Sequence, residues 1–156
     1  GAVAAAAAAA LARNEGTAAA LARTATWAAR LRNAHPLLVW RAGAAGELGD
    51  EAAVDVALAE LKKHAHTPAE LDDADRTLAA VAERRGHAVD AYRLVQRLSA
   101  RAPTDVELGL WQARLEQKLG MPVQALSTAR RLQRSWPEDA RVKTLLADLG
   151  ANRDPG

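Results

Sequence analysis

The chain has 156 residues and a formal net charge of only +2, from 21 Lys and Arg against 19 Asp and Glu. This balance gives no electrostatic footprint for a nucleic-acid partner. The absence of cysteine excludes disulfides and thiolate metal sites. No apolar run reaches the roughly 18 residues that a membrane helix needs, so membrane insertion is not expected. Alanine is abundant and aromatic residues make up 3%, which favours an all-α fold of closely packed helices.

The first two predicted elements form a helix pair. Residues 2–12 are almost entirely alanine and predict a helix that closes at Asn14-Glu15-Gly16. A second helix is predicted from its apolar stripe, with His35-Pro36 as its stop. The stripe consists of Leu21, Ala25, Ala28 and Leu31.

A second pair is predicted around the turn Leu48-Gly49-Asp50, 33 residues after Gly16. Residues 62–70 then form an irregular joint. His64 and His66 are two residues apart and have no third ligand nearby, so we expect exposed loop histidines and no metal site. Thr67-Pro68 followed by Glu70 predicts the start of the next helix.

The region from 78 to 137 repeats itself. Gly86, Ala91 and Pro103 recur 34 residues later as Gly120, Ala125 and Pro137. A glycine can end a helix in the left-handed conformation, a small residue allows close helix approach, and proline does not continue a helix. Each unit is therefore predicted to contain two helices joined by a tight turn, with the second helix ended by proline. A fixed period of this length is typical of stacked helical repeats.

This pattern resembles the tetratricopeptide repeat (TPR) family. The matching positions are Leu78-Ala79, Gly86, Ala91, Val95, Leu98 and Pro103, then Ala113, Gly120, Ala125, Ala129, Leu132 and Pro137. Gln112, Glu116 and Ala82 depart from it, at one Leu and two aromatic positions of the family. The resemblance implies a right-handed α-solenoid of about four helix-turn-helix repeats plus a C-terminal helix. The expected units are about 1–35, 36–70, 71–105, 106–139 and a partial 140–150, in a segment of a longer protein.

The resemblance also implies a binding surface on the concave face made by the first helix of each repeat. The family's ligand-facing positions fall here on Asp73, Arg76, Arg84, Arg114, Gln117 and Lys118. The Lys and Asn residues of the family's clamp for chaperone tails are missing, so that ligand is not expected. The basic residues instead favour an acidic or extended peptide.

Other clusters have simpler interpretations. Asp72, Asp73 and Asp75 are interpreted as acidic residues at a helix start, where they complement the helix dipole. Arg130, Arg131 and Arg134 are interpreted as a solvated outer face. The four tryptophans are expected to pack between adjacent helices.

The sequence leaves three classes of function open. No catalytic motif or cofactor-binding motif is found, so the first expectation is a non-catalytic scaffold that binds another protein or an extended peptide. The second is the periplasmic repeat region of a bacterial protein of exopolysaccharide export or envelope assembly, with polysaccharide as a possible partner. The third is an accessory helical domain of a larger enzyme. A cytoplasmic and a periplasmic location are both compatible with the sequence.

Overall fold

A computed structural model of the chain describes residues 1–151, and helices account for most of them. This range contains nine α-helices, one short 3-10 helix at Ala28–Arg30 and no strand, which confirms the expected all-α class. The α-helices are α1 (Ala2–Glu15), α2 (Thr17–Arg23), α3 (His35–Glu47), α4 (Glu51–Lys63), α5 (Pro68–Arg84), α6 (Ala88–Arg101), α7 (Val106–Lys118), α8 (Pro122–Ser135) and α9 (Ala140–Ala151).

The turns lie at the four glycines that the spacing predicted, and each glycine has a positive φ. Three of the turns also share one hydrogen-bond pattern, in which the residue after the glycine bonds back to the carbonyl five residues earlier. These bonds join Asp50 to Ala45 at 3.0 Å, His87 to Ala82 at 2.8 Å and Met121 to Glu116 at 2.8 Å. Gly16 differs, because its own N–H bonds to Ala12 and its ψ is 153°.

The predicted continuation of α2 through Leu31 is wrong, because the helix ends at Arg23. The Thr24 hydroxyl donates to the carbonyl of Ala20 at 2.7 Å. The Arg41 guanidinium donates to the carbonyl of Leu21 at 2.7 Å and to the Thr24 hydroxyl oxygen at 2.8 Å. Carbonyls at a helix end need partners, and this arginine from α3 supplies one.

His35-Pro36 begins a helix, where the sequence pattern had predicted a stop. Both residues belong to the first turn of α3. Proline is tolerated there because an N–H in the first turn would have no acceptor within the helix. The side-chain oxygen of Asn33 accepts a hydrogen bond from the backbone N–H of His35 at 3.0 Å. Asn33 therefore supplies a partner for the free N–H groups of this helix start.

The start of α5 is a capping box, as Thr67 and Glu70 predicted. The Thr67 hydroxyl accepts from the N–H of Glu70 at 3.2 Å, while the Glu70 carboxylate accepts from the N–H of Thr67 at 3.1 Å. Because α5 begins at Pro68, the cluster Asp72–Asp75 lies beyond the first turn. The interpretation of these aspartates as helix-start residues is therefore wrong.

The chain divides into two compact units, Gly1–Leu78 and Ala79–Gly156. In the first unit α1 packs on α2 and α3, and α3 packs on α4. Its largest fully buried side chains are those of Leu37, Leu38, Leu61 and Val54. The apolar faces of α3 and α4 therefore form the centre of this unit.

The second unit has two buried clusters. The end of α5 meets α6 and α7 around Ala79, Ala91, Val95 and Leu115. The other cluster joins α7, α8 and α9, and its buried members are Leu110, Ala113, Ala125, Leu126, Ala129, Leu132, Val142, Leu145 and Leu149. Ala91 and Ala125 are both 0% exposed, which confirms the expected burial of these two small residues.

The tryptophans differ in their surroundings. Trp111 is half-buried and packs against the cluster that contains Ala91. Trp136 lies after the end of α8 and is 43% exposed, although its indole N–H donates to the carbonyl of Thr104 at 2.9 Å. The expectation that every tryptophan packs between helices is therefore wrong for Trp136.

Among residues 1–151, no helix combines the length and apolar character that a membrane span requires.

Candidate functional site

The second unit contains a groove between α7 and α9, with a volume of about 260 Å³. We call it the α7–α9 groove. The residues of α7 that line it are Leu110, Arg114 and Gln117. Those of α9 are Arg141, Thr144, Leu145 and Asp148. Two residues of the predicted site, Arg114 and Gln117, therefore lie together in one groove.

The groove has an apolar floor and a polar rim. Leu110 and Leu145 are buried in the core that α7 and α9 share, so they form the floor. Arg114 follows Leu110 by four residues, which places both on one face of α7. Thr144 and Asp148 have the same four-residue relation on α9. Helical periodicity thus aligns both sets of side chains along the groove.

Arg114 is the unpaired cation of this groove. Its side chain is exposed, and within residues 1–151 its guanidinium has no hydrogen bond and no ion pair. Asp148 is likewise exposed and unpaired in that range. The groove therefore presents one free positive and one free negative charge to a ligand.

Arg141 is already neutralised by acidic neighbours. Its guanidinium donates to Asp139 at 2.7 Å and also contacts the carboxylate of Glu107. The hydrogen bonds from Arg141 lower the pKa of the Asp139 carboxyl to about 2, so this pair stays ionised at neutral pH. Arg141 shapes the groove but offers less charge to a ligand than Arg114 does.

Lys118 also has an acidic partner. Its ammonium lies 3.9 Å from one oxygen of the Glu83 carboxylate, while the other oxygen accepts the indole N–H of Trp111 at 2.6 Å. Arg84, the next residue on α5, is exposed and has no partner within the described residues. Arg84 and Arg114 are therefore the available cations of the predicted site in this unit.

The other two predicted residues belong to the first unit. The Asp73 carboxylate lies 3.8 Å from the buried imidazole of His35. Arg76 is half-buried and takes part in an interaction of its own. Neither lines the α7–α9 groove.

Sequence reasoning missed the α9 side of the groove. Arg141, Thr144 and Asp148 follow Glu107, Leu110 and Arg114 by 34 residues, so the repeat register could have located them. They were overlooked because the last helix had been interpreted as a cap or an incomplete unit. The 34-residue period was the available signal.

The histidines of the joint after α4 were expected in an exposed loop. His66 is exposed, whereas His64 is half-buried, caps α4 and lies 3.4 Å from the Glu60 carboxylate. In the part of the chain that the structure describes, no three His, Cys, Asp or Glu side chains are grouped so as to hold a metal ion.

No family model, curated protein or solved structure matches this chain.

Proposed function

We propose that this chain is a non-catalytic, TPR-like scaffold that binds an extended peptide segment of another protein. The architecture we propose is a right-handed solenoid of about four helix hairpins plus a C-terminal helix. Its support is the recurrence of one glycine turn, with the same hydrogen bonds, at Gly49, Gly86 and Gly120. The burial of Ala91 and Ala125 at equivalent positions agrees with this arrangement.

The unpaired guanidinium of Arg114 is the observation that carries the proposed binding site. A carboxylate of the peptide, from a side chain or from its C-terminus, would form a charge-assisted hydrogen bond with this group. Because Arg114 makes no bond to any other residue of the range 1–151, the ligand would displace no partner within that range. The ligand would replace only the water at this exposed group.

Gln117 and Thr144 supply the groups that fit a peptide backbone. The Thr144 hydroxyl donates its proton to the carbonyl of Ala140 at 2.9 Å, so its oxygen is left to accept from a ligand N–H. The Gln117 amide has both a donor and an acceptor. An extended peptide has unbonded N–H and C=O groups for these side chains, whereas a helix has satisfied them internally.

A peptide display library provides the test. Peptides selected on the wild-type protein would be titrated by fluorescence anisotropy against Arg114→Glu, for which we expect a tenfold or greater loss of affinity, about 1.4 kcal/mol. We also expect the affinity to fall with salt, since exposed charges are screened. The matched control is Arg130→Glu, which makes the same change of charge on α8 outside the groove.

Two outcomes would contradict the proposal. An equal loss in the α8 control would show that overall charge, and not the groove, determines binding. Binding of oligosaccharides from a glycan array, with no peptide selected, would instead support the polysaccharide-export alternative.

A further inference from the structure

A second and larger groove lies on α8, with a volume of about 530 Å³. We call it the α8 groove. The described residues that line it are Val123, Leu126, Ser127, Arg130, Gln133 and Arg134. They recur every three to four residues, so they form one continuous face of the helix. This face shares no residue with the α7–α9 groove.

The two ends of the α8 groove differ in chemistry. Val123 is 67% exposed at the N-terminal end, whereas Leu126, one turn further, is 9% exposed and belongs to the core, so the apolar surface at this end comes mainly from Val123. Arg130 and Arg134 are exposed at the other end, and neither has a hydrogen bond or an ion pair within residues 1–151. They are four residues apart, and like charges at this spacing destabilise a helix slightly. A negative charge bound between them would remove that repulsion.

Helix α6 shows how the same kind of face is neutralised elsewhere in the chain. Its Arg93 lies 3.9 Å from the Asp90 carboxylate, and its Arg97 and Arg101 also have interaction partners. The residue 34 positions after Asp90 is Gln124, and α8 contains no acidic residue at all. The free positive charge of α8 therefore has no internal compensation on its own helix.

We propose that the α8 groove docks an acidic amphipathic helix of a partner protein. The face from Val123 to Arg134 is about 16 Å long at 1.5 Å per residue, which matches about three turns of a docked helix. Apolar side chains of the partner would cover Val123 and the small exposed edge of Leu126, and carboxylates would reach Arg130 and Arg134. A β-strand is a poorer occupant, because the backbone groups of α8 are bonded within the helix.

The apolar and basic ends of the α8 groove determine how the residues of the partner helix must be arranged. Its apolar residues would lie one turn apart and its acidic residues would begin about one turn further along, so that one face carries both. Such a helix would dock beside a peptide in the α7–α9 groove and would not depend on it. The proposal therefore concerns a different ligand and a different surface from those of the proposed function.

A designed peptide tests the proposal on the whole chain. The probe is a fluorescein-labelled, hydrocarbon-stapled helix with two leucines one turn apart, followed one turn later by two glutamates that are themselves one turn apart. We expect saturable binding by anisotropy, and at least a tenfold weaker Kd for Arg130→Glu with Arg134→Glu. The milder pair Arg130→Gln with Arg134→Gln should weaken binding less, and Val123→Ser should weaken it without altering its salt dependence.

Matched controls define the results that would overturn the proposal. Arg84→Glu with Arg114→Glu makes the same charge change elsewhere in the unit and should leave the affinity unchanged, so an equal loss there would refute a defined α8 site. A Glu→Gln version of the probe that binds as tightly would also refute it. Circular dichroism would confirm that each variant is folded.

The same variants test two other possible occupants of the α8 groove, a second copy of the chain and a lipid surface. Sedimentation of the unliganded protein as a dimer that Arg130→Glu dissolves would assign the surface to a second copy of the chain. Co-sedimentation with anionic phosphatidylserine vesicles, in the absence of probe binding, would assign it to a lipid surface. Either result would overturn the proposal of a helical protein partner.

Discussion

The side-chain amide of Gln112 donates a hydrogen bond of 2.8 Å to the carboxylate of Glu116, one turn further along α7. Both residues are buried, at 9% and 2% exposure, although the repeat pattern predicted a leucine at the first position and an aromatic residue at the second. The Tyr92 hydroxyl lies 3.4 Å from the same carboxylate oxygen, and the other oxygen has no partner among residues 1–151. The two departures from the repeat pattern are therefore one coupled polar pair.

Replacing one member of this pair should lower the free energy of unfolding more than replacing both members does. Gln112→Leu would leave the buried carboxylate with one fewer donor, so we expect a loss of about 1–3 kcal/mol in the free energy of unfolding. The double variant Gln112→Leu, Glu116→Leu should be closer to wild type, because well-packed apolar residues often replace buried polar pairs without loss. Urea unfolding of both single variants and the double variant measures the coupling. Purely additive losses would show that the two side chains do not act together.

Ala125 lies where α7 meets α8, and it is 0% exposed. Ala125→Leu should overpack this contact and lower the free energy of unfolding by about 1–3 kcal/mol. The control is Ala147→Leu on the exposed face of α9, which we expect to stay within about 0.5 kcal/mol of wild type. Thermal melts of equal midpoint for Ala125→Leu and wild type would contradict the burial of this position.

Two glycines should respond oppositely to the same substitution. Gly120 has a φ of 70°, so Gly120→Ala should destabilise by about 1–2 kcal/mol although the added methyl group would meet open space. Gly150 lies within α9 and also faces open space, so Gly150→Ala should stabilise by up to about 1 kcal/mol. Chemical denaturation of both variants checks the sign. A gain in stability at Gly120 would contradict the left-handed turn.

The capping box of α5 should make stability depend on pH. The N–H groups of His66 and Thr67 donate to the Glu70 carboxylate at 2.9 Å and 3.1 Å, and these bonds lower the pKa of Glu70 from 4.5. Because folding favours the ionised form, this stabilisation is present above pH 4.5 and is lost as the pH falls through the lower folded-state pKa.

The variant Glu70→Gln tests this pH dependence, since the amide keeps the side-chain length but does not ionise. Urea midpoints of wild type and variant, measured from neutral to acidic pH, should differ most at neutral pH and converge in acid. Titration of every other group is common to both proteins and cancels in the difference. Two parallel profiles would show that the Glu70 charge contributes nothing to folding.

Much of the helical architecture was predictable from local chemistry. A glycine that ends a helix and a proline or capping residue that starts the next one act through the backbone of a few neighbouring residues. The turns at Gly86 and Gly120 and the start of α5 at Thr67-Pro68 were therefore found where the sequence placed them. The end of α2 at Arg23 was not predicted, because the bond to its last turn comes from Arg41 on a different helix.

The sequence predicted where two residues of the candidate site lie, but it did not predict which of the site's charges remain unpaired. The resemblance to the repeat family implied that Arg114 and Gln117 share the ligand-facing side of their helix, and the structure has both in the α7–α9 groove. Only the tertiary structure decided which cations remain free, since Lys118 meets Glu83 and Arg141 meets Glu107 across helices. The repeat pattern specifies which side of a helix a residue occupies. Whether its charge is neutralised depends on contacts between residues about 35 positions apart, and these form only when the helices pack.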